Sequence, residues 1–132
     1  MKKLLLFTAL VFFFGKSFSQ NTFNNDSSLA KYLCREWRLA YYYDNGKKSP
    51  PAPENRDDKM VFNTNHTGLS IEAGKKEKAS WKFDVKTQII TLTNVETNEK
   101  YKMKIVSIDD KKFDTIITDY DGDTYRMIMI PY

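Results

Sequence analysis

The chain predicts an all-β fold, an eight-stranded antiparallel up-and-down barrel with a short N-terminal helix. Three observations carry this expectation. Short runs from Trp37 to Tyr132 have apolar residues at every second position, Asn, Asp and Gly separate the runs, and an export signal precedes them. Successive strand side chains point to opposite faces, so alternation marks a sheet with one dry face and one wet one. Strands joined by hairpins are antiparallel, and eight of them can hide both sheet edges by closing on themselves.

At the N-terminus, Met1, Lys2 and Lys3 precede an apolar stretch from Leu4 to Gly15, followed by Lys16, Ser17, Phe18, Ser19 and Gln20. A basic start, a short apolar core and small residues near the end are the parts of a secretory signal peptide. Residues 1–19 are read as that signal, cleaved before Gln20, and residues 20–132 as one domain. The apolar stretch is shorter than the roughly 20 residues of a spanning helix, so no stable membrane span is expected. The mature protein is then periplasmic or secreted. An uncleaved anchor stays open, because Lys16 and the bulky Phe12, Phe13 and Phe14 depart from the usual approach to a cleavage site.

Gln20 to Asn25 reads as a loose polar lead-in. Asp26, Ser27 and Ser28 then stand ahead of Leu29, Ala30, Lys31, Tyr32, Leu33 and Cys34, as capping residues ahead of a short helix do. Leu29, Tyr32 and Leu33 share one face, with which the helix can cover an end of the barrel.

The first strand alternates Trp37, Leu39, Tyr41 and Tyr43 with Glu36, Arg38 and Tyr42. Met60 and Phe62 mark the second strand, Leu69 and Ile71 the third, and Ala79, Trp81 and Phe83 the fourth. Ile90 and Leu92 mark the fifth. In the sixth, Tyr101, Met103 and Ile105 oppose Lys100, Lys102 and Lys104, and a phase change at Ile105 and Val106 predicts a bulge. Phe113 to Thr118 is the seventh strand. The eighth opposes Tyr125, Met127 and Met129 to Arg126, Ile128 and Ile130.

Turns are expected at Asn65 to Gly68, Ala73 to Lys75, Asp84 to Lys86, Asn94 to Asn98, Asp109 with Asp110, and Asp121 with Gly122, where Asn, Asp and Gly accept left-handed backbone angles. Asp44 to Arg56, with Gly46, Pro50, Pro51 and Pro53, is far longer than a hairpin needs and reads as an ordered surface loop. Up-and-down connectivity puts it at the same end as the third-to-fourth, fifth-to-sixth and seventh-to-eighth connections. That end is the candidate mouth.

Charge gives no reason to expect a polyanion partner. The chain has 21 Lys and Arg against 17 Asp and Glu, but Lys2, Lys3 and Lys16 belong to the signal, which leaves 18 against 17. Nucleic-acid binding needs a basic footprint that this near-neutral domain lacks. Cys34 stands alone, so no internal disulfide forms, and a lone thiol reads first as a small interior residue.

With its helix leading into a first-strand Trp37, its long first loop, its eight strands and Trp81 within Ala79-Ser80-Trp81-Lys82-Phe83, the chain resembles the lipocalins, in particular small exported bacterial lipocalin-like domains. The resemblance covers about residues 26–132. Lipocalins place Gly two residues before that Trp, and Arg35 stands there in this chain. Thr118-Asp119-Tyr120 matches a family motif that lies between the sixth and seventh strands, whereas here it falls between the seventh and eighth. Either the strand count is one too high or hairpin chemistry alone put those residues there. Arg126 corresponds by order to the family's late arginine that packs on the first-strand Trp.

The resemblance implies binding of a small hydrophobic or amphipathic molecule inside the barrel. The candidate lining residues are Trp37, Leu39, Tyr41, Met60, Phe62, Leu69, Trp81, Phe83, Tyr101, Met103, Phe113, Tyr125 and Met127. Eight strands enclose an interior that side chains can fill or that can hold one small ligand, and rings this large favour filling, with a shallow cleft at the mouth.

Other chemistries find little support. Asp119, Asp121 and Asp123 are interrupted by Gly122 with no bidentate Glu following, so they read as a solvated hairpin and not a calcium loop. His66, the only histidine, sits in a turn and is assigned to solvent. No Ser or Cys has an evident base partner, so the protein is expected to be non-catalytic, without cofactor or metal. The sequons Asn25-Asp26-Ser27 and Asn65-His66-Thr67 carry no weight behind a bacterial-type signal. The alternative function is a solid-barrel module that binds an envelope protein or glycan through its loops or outer face, using Tyr42, the Lys100, Lys102 and Lys104 row and the Pro50 to Pro53 loop. Oligomeric state is left open by the sequence.

Overall fold

A computed structural model describes residues 22–132, so the signal peptide expected over residues 1–19 lies outside the described residues. The elements are α1 (Asp26–Leu33), β1 (Glu36–Asp44), β2 (Lys47–Ser49), a 3₁₀ turn (Pro53–Asn55), β3 (Lys59–Phe62), β4 (Thr67–Glu72), β5 (Lys75–Asp84), β6 (Ile89–Asn94), β7 (Lys100–Ile108), β8 (Phe113–Thr118) and β9 (Thr124–Pro131). The strands pair in the order β2-β1-β3-β4-β5-β6-β7-β8-β9, and β1 also pairs with β9. Every pairing is antiparallel. β1 and β3 to β9 thus close the expected eight-stranded barrel, with β2 as one added strand.

β2 is a correction to the first loop. Asn45 and Gly46, at φ 49° and 76°, make a tight turn of the type Asn-Gly favours, and fold Lys47, Lys48 and Ser49 back onto Asp44, Tyr43 and Tyr42. Alternation could not reveal β2, because its three residues are all polar. β2 takes the outer half of the β1 edge, and β3 takes the inner half at Glu36 to Arg38.

Two strands present different faces from those expected. In β1 the register against β9 shifts between Leu39 and Tyr41, so Ala40 is an extra residue. Past this bulge the phase reverses: Tyr42 lies opposite Met127 on the inner face, and Tyr41 lies opposite Ile128 on the outer one. In β4, Gly68 and Ser70 pair with Phe62 and Met60, which puts Leu69 and Ile71 on the outer face. The bulge expected near Val106 is present, between Ile105 and Ser107.

The helix closes one end. Its N-cap is Asn25, one residue ahead of the expected capping set, and Asn25 Oδ1 accepts from the Ser28 amide at 2.8 Å. Leu29 and Leu33 are fully buried, while Tyr32 keeps an edge in solvent and meets the Phe23 ring at 5.9 Å. The lead-in is not loose at Phe23, which is 6% exposed and exchanges two 2.9 Å hydrogen bonds with the Gln88 side chain.

Candidate functional site

The barrel has a filled base and a partly open mouth. Trp37, Phe62, Trp81, Ile90, Ile105, Ile108 and Phe113 are buried toward the helix end, where Trp37 meets Phe113 at 5.6 Å and Phe62 meets Trp81 at 6.4 Å. Both indole N–H groups donate to backbone carbonyls at 3.0 Å, Trp37 to Leu33 at the helix C-terminus and Trp81 to Asn63. Buried Trp is stable in such a core only when its N–H finds an acceptor, and here both do. Side chains also tie the helix end to the three turns beneath it: Phe23 to Gln88, Asp26 to His66 at 3.2 Å, and Arg35 to the Asp110 carbonyl at 3.1 Å.

His66 is therefore not simply solvated. Its ring packs against Trp81 at 4.2 Å, tilted by 40°, and faces Asp26. Arg126 is also reassigned. The cation over Trp37 is Arg35, at 5.4 Å, from the very position where Gly was expected. Arg126 lies on the outer face, forks onto the buried Asp114 at 2.8 and 2.6 Å and covers the Tyr43 ring at 4.9 Å. Tyr43 meets Tyr41 edge-on at 5.5 Å, and Lys48 of β2 sits over Tyr41 at 4.0 Å. These groups run as one ladder across the outside of β2, β1, β9 and β8.

At the other end the long first loop and the β4–β5, β6–β7 and β8–β9 turns surround a cleft of about 120 Å³. Its walls are apolar below, with Leu39, Met60, Leu92, Met103, Ile117, Met127 and Met129, and polar at the rim, with Tyr42, Tyr101, Tyr125, Asp58, Ser70, Glu72, Glu77 and Asn94. Of the thirteen residues proposed from sequence as lining a ligand site, Leu39, Tyr101, Met103, Tyr125 and Met127 line this cleft. Trp37, Phe62, Trp81, Phe83 and Phe113 pack in or against the core without lining it, and Tyr41 is outside. Met60 also lines the cleft, whereas Leu69 does not. Tyr42, assigned from sequence to the outer face, is part of the cleft wall.

The cleft exists because one wall is made of small residues. Ser70 and Ala79 stand on the inner faces of β4 and β5, where β1, β7 and β9 contribute Tyr42, Tyr101, Met103, Tyr125 and Met127. The reversed faces of β4 put Ser70 where Leu69 was expected, and this difference is what leaves space. Ala79 and Leu92 were already visible in the alternation; Glu72 and Glu77 were not, since each lies one step beyond the apolar run of its strand.

The rim electrostatics are acidic and phenolic. Tyr42 and Tyr125 meet edge-on at 6.0 Å, and Tyr101 meets Tyr120 at 5.9 Å. Burial first, then the charges of Asp58 and Glu72, pushes the Tyr42 hydroxyl above the ordinary phenol value. Burial does the same to Tyr101, helped by Glu99, Glu77, Tyr120 and Glu72. Tyr125 is pushed up to about 12, again chiefly by burial, with Tyr42 and Glu72 next. All three therefore stay neutral hydrogen-bond donors at physiological pH. Glu77 is already engaged, by Lys75 at 3.1 Å and Asn94 Nδ2 at 3.3 Å. Asp58 accepts from Asn55 at 2.8 Å and from the Ala73 amide at 2.7 Å, which fixes the long loop against the β4–β5 turn.

Asp119 serves its turn: Oδ1 accepts from the Asp121 and Asp123 amides at 2.9 and 3.0 Å, which accounts for the Thr118-Asp119-Tyr120 sequence locally. Burial pushes the Cys34 thiol up, away from the thiolate that a nucleophile needs. Compared with family models, curated proteins and solved structures, the chain matches none.

Proposed function

We propose that this is an exported, non-catalytic, lipocalin-like protein that holds a small hydrophobic or amphipathic ligand at the mouth of its barrel. The cleft carries the reading: an apolar floor beneath a ring of hydroxyls and carboxylates suits a molecule with one greasy and one polar end. The closed eight-stranded barrel and the helix plugging its far end support the lipocalin-like part of the proposal. Size narrows the ligand. Drug-sized sites run to roughly 300–1,000 Å³, whereas a cavity of about 150 Å³ holds benzene. A cleft of about 120 Å³ accordingly takes one small apolar group, or the end of a longer one, with the remainder at the rim.

Four methionines in the cleft, Met60, Met103, Met127 and Met129, make its occupancy measurable. Ethylbenzene titrated into methyl-labelled protein is expected to shift these methyl resonances saturably and to leave signals from the base unmoved. Ala79→Leu puts three more carbons into the cleft and is expected to abolish the shifts while the protein stays folded. An absence of saturable shifts in the parent protein would sink the proposal.

A further inference from the structure

We infer that the mouth selects an organic ammonium, with the cation seated among Tyr42, Tyr125 and Glu72 and an apolar group of about a phenyl ring's size in the cleft below. The inference rests on the cleft being a ligand site, and names the class of ligand.

The first argument is the balance of charge around the opening. Three carboxylates line it, Asp58, Glu72 and Glu77, together with Lys59 and Lys78. Neither lysine neutralises the opening. Lys59 Nζ is drawn away to Glu36 at 3.3 Å and to the Tyr132 ring at 4.7 Å, and Lys78 pairs in register with Leu69 on the outer face. Lys75, directly opposite Glu72 in register, is bound by Glu77 instead, at 3.1 Å. Glu72 has no ion pair or side-chain hydrogen bond among the described residues. It lines the same opening as Tyr42, Tyr101 and Tyr125, and its charge contributes, after burial, to the raised hydroxyls of all three.

The second argument is the kind of surface that meets that charge. A ring face attracts a cation, and the attraction grows where water is excluded. Tyr42 and Tyr125, edge-on to each other, are half-sunk in the barrel wall beside the unmatched carboxylate. A carboxylate ligand such as a fatty acid would have to bring its charge up to Glu72 and give up hydration in doing so. An ammonium gains on both counts, and the apolar floor holds whatever hydrocarbon it carries.

Three probes of one shape and different charge test this on the full mature protein: 2-phenylethylamine, ethylbenzene and 3-phenylpropionate, titrated at pH 7 and low salt. The amine is expected to bind about tenfold or more tighter than the carboxylate. Glu72→Gln, which keeps the side chain's size and removes its charge, is expected to erase most of that preference, read as the ratio of amine to ethylbenzene affinity within the variant, with an unaltered circular dichroism spectrum. Carboxylate binding as tight as amine binding, or an amine affinity equal to that of ethylbenzene and indifferent to Glu72→Gln, overturns the ammonium inference while the binding site stands. Failure of all three probes to bind overturns both.

Discussion

At the scale of single residues, space and backbone angle decide more than chemistry. Gly68 lies inside β4 at ordinary strand angles, so its freedom of conformation is not what the site requires. A Cβ at this position would come within 2.9 Å of the Val61 carbonyl oxygen, on the backbone of the neighbouring strand. Backbone cannot swing aside as a flexible side chain can. Gly68→Ala is therefore expected to destabilise the protein by about 1–3 kcal/mol, by prising β3 from β4, even though alanine is the better strand residue. Urea unfolding measures it, and an unchanged midpoint would refute the close approach. Gly74 differs: its φ of 80° demands glycine, and a Cβ there meets nothing within 4 Å. Sequence reasoning marked both glycines as turn residues, which holds for Gly74 and fails for Gly68, whose role depends on a neighbour six or more residues away in the chain.

At the scale of elements, the eight strands of the barrel, their order and the end that opens were legible, because each follows from period-two alternation and turn residues within a few positions, whereas the all-polar β2 was not. The inner face of β1 was not. Trp37, Leu39, Tyr41 and Tyr43 make a perfect alternating set, yet the three successive tyrosines offer an equally apolar set in the other phase, and only pairing with β9 chooses between them. The extra residue Ala40 reverses the phase and delivers Tyr42, not Tyr41, to the mouth. β4 failed for a related reason: Leu69 and Ile71 are the larger apolar residues, but the register with β3 sets Ser70 and Gly68 opposite Met60 and Phe62 on the inner face. The outer ladder of Lys48, Tyr41, Tyr43, Arg126 and Asp114 provides the displaced aromatics with partners outside the barrel. Removing one residue from a regular strand flips every side chain beyond it. Removing a bulge residue does not. Deleting Ala40 is thus expected to yield a folded protein that keeps the Tyr42–Tyr125 ring contact, at a cost of under about 2 kcal/mol. Ring-to-ring nuclear Overhauser effects report the contact, and their loss with retention of fold would show that β1 is not bulged there.

At the scale of the whole molecule, the two ends are built on different physics, and pH separates them. The base combines buried indoles, their backbone acceptors and the helix, with no buried side-chain polar atom among the described residues left unpaired. The mouth sets three tyrosines among carboxylates, and burial has raised all three hydroxyls, Tyr125 to about 12. An unfolded tyrosine loses its proton near 10. Between those values the folded protein retains protons that the unfolded chain has released, so stability falls as pH rises. The contribution of Tyr125 is fully present below pH 10 and is lost as pH climbs through about 12. Tyr42 and Tyr101 act in the same direction, and each phenolate formed adds a charge beside Glu72. Urea midpoints measured from pH 8 to 12 are expected to hold steady to about pH 10 and then drop, with Tyr125→Phe flattening the drop and Tyr41→Phe, on the outer face, leaving it in place. The mouth should loosen before the base. Phenolate absorbance would then rise while the emission of Trp37 and Trp81 still reports a buried environment. Simultaneous loss of both signals would show instead that the barrel gives way as one unit, with no distinction between the end that is packed and the end that is open.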